Sequence, residues 1–385
     1  MSSIVLRRAI GGNSPPRAKG TRRLGVRSKA LTAAMVLAIG ALASTASADV
    51  WTVTNLHPAG STESGGTGVG SLQQVGYALA NGQYRASLWS GTSGSWVNLD
   101  PAGSTHSGAW GVGDGQQVGH AVIGGDVHAS LWSGTAASWV DLNPAGSTES
   151  QARSVSAGQQ VGFAEVNNQR HAGIWSGSSA SWVDLNPAGS TYSEAFGVNG
   201  GQQVGDAYVD GIFRASLWSG TAASWVDLNP AEAIESYAYA VGDGQQVGWI
   251  SDSESVYRAS LWSGSAASWI DLNPAGSFGS YAYGVSGGQQ VGSAGFDDGA
   301  HASLWSGTAA SWVDLGQFLP AGYSESNAVG IWSDTEFIYV AGVAHNDVAG
   351  RYEAMLWSQA IPEPGAAALF GLGGLIVAMK RRRIR

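Results

Sequence analysis

Six near-copies of one segment run along this chain, and their spacing constrains what it can fold into. Gln-Gln-Val-Gly begins at Gln73, Gln116, Gln159, Gln202, Gln245 and Gln289, a step of 43 residues four times and then 44. A fixed period of this length marks stacked units, each too small to bury its own hydrophobic face. Within one copy, residues 194–198 are short and followed by Asn199-Gly200-Gly201, a turn signal. Residues 202–209 come next and end at Asp210-Gly211, a hairpin pair. Residues 213–219 carry Arg-Ala-Ser-Leu-Trp-Ser, and residues 224–228 carry Ser-Trp-Val-Asp-Leu. Asn229-Pro230 then stops the last strand, because Pro cannot donate to a ladder. No window shows sustained helical periodicity.

Four short antiparallel strands in 43 residues predict an all-β chain whose unit is a propeller blade. Counting supports seven of them. The Leu-Trp-Ser tryptophan recurs at 89, 132, 175, 218, 262, 305 and 357; the Trp-Val-Asp-Leu type recurs at 51, 96, 139, 182, 225, 269 and 312. The two series are offset. The repeat region begins with a fourth-strand segment, residues 50–58, and ends with a third-strand segment, residues 352–357. The expectation is a seven-bladed β-propeller in which the first strand completes the last blade, closing the ring and removing open edges. A β-solenoid is the alternative, but it gives no reason to split a unit.

Composition agrees. The chain has 57 Gly, 17 Trp and only 12% charged residues, the profile of short strands and tight turns. Without Cys, disulfide scaffolds and thiolate metal sites are excluded. Thirteen of the nineteen basic residues lie at the two ends; between Asp49 and Ile361 six Arg face 27 acidic residues, a net of −21. So acidic a domain argues against nucleic acid or anionic lipid as its partner.

The ends read as addresses. Residues 1–48 have a basic start, an apolar stretch at 31–42 and the small residues Ala46-Ser47-Ala48, the pattern of a cleaved secretory signal. Residues 49–359 form the repeat domain. Residues 360–385 contain Pro362-Glu363-Pro364, an apolar stretch of 15 residues, short for a full membrane span, and a basic end from Lys380. This tripartite tail resembles the PEP-CTERM sorting signal of exopolysaccharide-producing Gram-negative bacteria. The resemblance implies transient inner-membrane anchoring, processing near Pro362-Glu363-Pro364 by an exosortase-type enzyme, and a cell-surface or extracellular destination.

The units themselves resemble the HAF repeat of bacterial extracellular proteins. The matching residues are Gln203-Val204-Gly205, His128-Ala129, His301-Ala302, the Leu-Trp step and Asp-Leu. One departure is clear: the Phe of His-Ala-Phe is Ser here, at Ser130 and Ser303. The resemblance implies an address more than a chemistry.

Several residue sets are candidates for function. The repeated Trp could stack on sugars or fill the inter-blade core; alternation along the strands favours core. The repeated basic step (Arg85, His128, His171, Arg214, Arg258, His301) and the Asp of the fourth strand suit cross-strand contacts better than a single active site. Asp-Gly pairs such as Asp114-Gly115 read as hairpin turns, without the spacing of a Ca²⁺ loop. No cofactor-binding, metal-ligating or nucleophile–base pattern stands out. One position varies where its surroundings do not: Thr67, Trp110, Arg153, Phe196, Tyr239, Tyr283 and Val329, in the strand expected nearest the axis. Trp110, Arg153, Phe196, Tyr239 and Tyr283 are the candidate ligand-binding residues, with Tyr192, Tyr237, Phe278 and Tyr281 in the loops leading in.

The functional expectation is a non-catalytic exported surface or matrix protein, structural or adhesive, binding exopolysaccharide. The alternative is a polysaccharide lyase or glycosidase, which would need converging carboxylates. Glu165, Asp206, Glu232, Glu235 and Asp252 are the non-repeated supply, and the sequence reading puts them in turns of different blades.

Overall fold

The computed structural model describes residues 50–362. Ala46, Ala48 and the rest of the signal-like segment lie outside the described residues, as do Glu363, Pro364 and the tail after them; of the expected processing motif only Pro362 is placed, exposed. Among the described residues no helix is long and apolar enough to cross a membrane.

Seven four-stranded antiparallel sheets make a seven-bladed β-propeller rather than a solenoid. Blades one to six are continuous: residues 63–98, 104–141, 150–184, 193–227, 235–271 and 279–314. Blade seven takes three strands from residues 323–360 and its outermost from Thr52–Asn55 at the other end of the chain. In blade four the strands are Ser193–Asn199, Gln202–Val209, Ile212–Trp218 and Val226–Asp227, so the outer strand is only two residues long. Short edge strands offer little template for pairing with another chain. A one-turn 3₁₀ segment, Ala222–Ser224, leads into it. The hairpin tip Asp210-Gly211 holds both residues at positive φ, 53° and 87°, as a tight two-residue turn between twisted strands requires.

The core lies between blades. Trp218 is fully buried against Val161, Ala172, Ile174 and Leu185 of blade three and Ala195 and Val198 of its own blade. All seven Leu-Trp-Ser tryptophans are fully buried, so they are packing residues and reach no ligand. The outer Trp of blades one, two, four, five and six donates its indole N–H to the Ser two residues before the Leu-Trp tryptophan, as Trp225 does to Ser216 at 2.8 Å. In blade three Gly173 stands there instead; the Trp182 ring takes the space, 2.0 Å from where a Cβ would be, and tilts onto Trp175 with centroids 4.6 Å apart. The basic step pairs across strands with the fourth-strand Asp in five blades, for example His171–Asp184 at 2.7 Å and Arg214–Asp227 at 2.7 Å.

One serine per blade stitches the ring. Its Oγ accepts the backbone N–H of the Ala in the preceding blade's third strand, as Ser193 does from Ala172 at 3.0 Å. The series runs all the way round and closes where Ser64 of blade one accepts from Ala354 of blade seven at 2.9 Å.

The closing strand corrects one expectation. Val53 pairs with Trp357 and Asn55 with Met355, whereas in blade four Val226 pairs with Leu217 and Asp227 with Ser216. Aligning the two registers puts Val53, not Trp51, where the other blades have their outer Trp. Trp51 lies two residues further out and is buried against Trp357 and Met355.

Candidate functional site

The innermost strand of every blade contains a β-bulge, and the bulged residue is the variable one. The pairing register skips Thr67, Trp110, Arg153, Phe196, Tyr239, Tyr283 and Val329, one per blade. A bulge leaves one residue without a cross-strand partner and re-aims its side chain. Here all seven line one axial cavity of about 410 Å³. The five residues singled out from the sequence are therefore brought together, and each is half-buried. Cavities of some hundreds of Å³ suit small ligands or single sugar units.

Glycine makes the bulge possible. A Cβ on Gly205, in Gln-Val-Gly, would stand 1.8 Å from the Glu194 carbonyl oxygen. The equivalent distance is 1.8–2.0 Å in the other six blades, at Gly76, Gly119, Gly162, Gly248, Gly292 and Gly342. The residue after each bulge is also small. A Cβ on Gly197 would meet the Tyr239 carbonyl oxygen of the next blade at 2.8 Å, so neighbouring inner strands close up around the axis.

Around blades four to six the cavity wall continues into a sheet of aromatic rings. Phe196–Tyr239, Tyr239–Tyr283, Tyr237–Tyr239 and Tyr281–Tyr283 contact at centroid distances of 5.2, 5.5, 6.4 and 6.0 Å. Tyr237 in turn stacks on Trp249 at 4.5 Å. Tyr192 joins this surface through Phe213. Tyr237 and Tyr281 lie within strands rather than in loops, and Phe278 is exposed just before its strand, outside these ring contacts. A second hollow of about 250 Å³ shares Trp110 and is walled by Tyr77, Tyr84, His106 and His120. Burial, then the nearby His106 and Arg153, push the His120 pKa down to about 4. Neutral at ordinary pH, its Nδ1 accepts from the Trp110 indole N–H at 3.2 Å.

The charges are concentrated on one side. Glu194 Oε1 accepts from Arg170 Nη1 at 2.7 Å and from the Tyr192 hydroxyl at 2.5 Å. Arg170 also pairs with Glu149 at 3.1 Å and lies over Phe163 at 4.3 Å. Arg153 stands over Trp110, Phe163 and Phe196 at 5.6, 5.7 and 5.9 Å, the geometry of cation–π contact. Asp206 sits opposite Glu194 on the neighbouring strand, 1% exposed, with neither carboxyl oxygen hydrogen-bonded. Burial, and then the adjacent Glu194, hold its pKa well above the usual carboxylate range, against the pull of Arg153 and Arg170.

The placement of Asp206 corrects the sequence reading. Asp206, Glu165 and Glu235 lie in strands, not turns. Glu165 bonds Thr148, Asp252 pairs with Arg258 and Glu232 is exposed on a connecting turn, so these do not converge with Asp206. The pair that does form is Asp206 with Glu194, which the sequence reading passed over as a carboxylate. Its signal was available: the residue after Gln-Val-Gly varies from copy to copy as Tyr77, His120, Phe163, Asp206, Trp249 and Ser293.

The raised pKa gives a signed prediction. Below the ordinary carboxylate range, Asp206 is protonated in folded and unfolded chains alike. Above that range and up to its raised value, only the folded chain keeps the proton, so stability falls as pH climbs through the window. Asp206→Asn keeps the shape without the charge. It is expected to raise the melting temperature more at pH 8 than at pH 4, with a gain of about 1–3 kcal/mol at the higher pH. A difference that does not change with pH counts against a buried neutral acid.

No family model matches the chain, and no curated protein does. Solved structures do share its fold. The propeller domain of the Trilobed protease from Pyrococcus furiosus, described as having an open velcro topology, superposes with a TM-score of 0.54 at 7% identity over 78% of this chain and 98% of that one. Puromycin hydrolase matches with a TM-score of 0.51 at 12% identity, over 75% of this chain and 53% of its own. A puromycin-hydrolyzing peptidase from Mycobacterium tuberculosis matches at 0.51 and 12%, over 78% and 54%. This chain thus spans about half the length of those two enzymes. At such identities the likeness shows the propeller fold alone.

Proposed function

We propose that the protein is an exported, non-catalytic surface or matrix module that binds polysaccharide at its axial cavity. One observation carries this reading. In a ring of near-identical blades, the seven residues that bulges turn toward the axis differ from copy to copy, and four of them are aromatic. Aromatic faces on a rigid scaffold offer flat apolar area at low entropic cost, which suits the faces of sugar rings. The signal-like segment and the sorting-signal-like tail support export and exosortase processing.

A glycan array followed by calorimetry tests the binding. Trp110→Ala and Tyr239→Ala are each expected to weaken it roughly two- to tenfold, from the ~0.5–1.5 kcal/mol of an aromatic contact, without unfolding the ring. A collapse in thermal stability with no separate effect on binding would return both residues to the core.

The buried pair Asp206 and Glu194 favours a second reading, an enzyme acting on the same polymer through a carboxyl whose pKa burial raises. Release of reducing sugar, abolished by Asp206→Asn in a protein that still folds, would establish it. Binding without turnover keeps the first reading.

A further inference from the structure

We propose that the polysaccharide recognised in the axial cavity is acidic, with a carboxylate on its sugar ring, and that Arg153 is the residue that reads it. This rests on the polysaccharide reading above. Six of the seven bulge residues are uncharged; Arg153 is the cation among them. Its side chain has few obligations. Its one carboxylate contact is Nη2 to Glu194 Oε2 at 3.5 Å, the outer limit of a hydrogen bond. Its Nε is buried with no partner. Glu194 is engaged elsewhere, by Arg170 and Tyr192 at 2.7 and 2.5 Å. Burial, and then Glu194, disfavour the charged form of Asp206, the other carboxyl close by.

With rings beside it and Nε buried, the guanidinium has its Nη1–Nη2 edge left for a ligand. That edge matches a planar carboxylate, which accepts two parallel N–H bonds. The neighbouring bulge residues Trp110 and Phe196 would meet the apolar face of the same sugar ring. Bulk attraction cannot do this work, because the domain carries 27 acidic residues against six Arg. Recognition of an anion by so acidic a protein needs a seated, short-range contact.

The test compares uronic-acid oligosaccharides (galacturonate, mannuronate and glucuronate series) with their methyl esters, by calorimetry on the unaltered protein. Esterification removes the charge and leaves the ring. At least one acid is expected to bind roughly tenfold or more tighter than its ester, the range of a charge-assisted hydrogen bond. Arg153→Gln should bring the acid down to the affinity of the ester, and Arg153→Lys should recover only part of the difference. Esters that bind as well as acids, or sulfated sugars preferred over carboxylated ones, overturn the proposal. Binding of neutral sugars alone sinks it and leaves the polysaccharide reading standing. If no sugar of any kind binds, both fall.

Discussion

Removing residues 50–58 is expected to lower the melting temperature by roughly 10 °C or more and to make the protein more prone to aggregate. The segment is small but holds three kinds of contact. Thr52–Asn55 pairs along the strand Arg351–Ala360. Leu56 is fully buried beside Trp89, Ala354 and Leu356, and Trp51 is buried against Trp357. Truncating core side chains of these sizes costs on the order of 2–5 kcal/mol each. Asn55 also donates to Glu353 at 2.7 Å, and His57 Nδ1 bonds Ser64 Oγ at 2.8 Å, so the segment ties blade seven to blade one. Without it, the Arg351–Ala360 strand would present an unpaired edge to other chains. Thermal melts followed by light scattering read both effects. A truncated protein that melts within about 2 °C of the full one would mean the ring does not depend on this strand.

The second large effect is expected from one methyl group. Gly205→Ala places a Cβ 1.8 Å from the Glu194 carbonyl oxygen and 2.9 Å from the Ala195 Cα. Both obstacles are backbone, so no rotamer change relieves them. The strand has to shift, and the bulge at Phe196 goes with it. A loss of roughly 3 kcal/mol or more is expected, together with displacement of Phe196 from the cavity wall. Gly94 is the control, since its φ is ordinary and a Cβ there would meet nothing within 4 Å. Equal denaturant midpoints for Gly205→Ala and Gly94→Ala would show that the close approach is not a constraint.

The architecture was legible because it follows from counting. A fixed step and two offset tryptophan series leave one closed arrangement, and the Thr52–Asn55 strand completes it. The axial positions were legible as seven differences among repeated neighbours. That they sit on bulges was not, because a bulge is a fault in pairing register and a single strand does not display its partner. The invariant Gly of Gln-Val-Gly was the trace of it. Trp51 misled because its neighbours look like a fourth strand, yet Val53 takes the place of the outer Trp. Asp206 was misplaced for a related reason. It follows Gln-Val-Gly in mid-strand, where the other copies carry no acidic residue, and a lone carboxylate reads as a turn until Glu194 is found beside it. Ser216 and its equivalents recur in five blades, and only the fold shows why: each accepts from the indole of the outer Trp.

The bulges separate what the ring is from what it presents. Because each axial residue stands outside the ladder, exchanging its side chain leaves the backbone ladder intact. Gene duplication could therefore multiply the blade as a finished frame, while one codon per copy altered what the frame shows. Seven such codons form a short combinatorial address, and ligand preference could drift through it with the scaffold held constant.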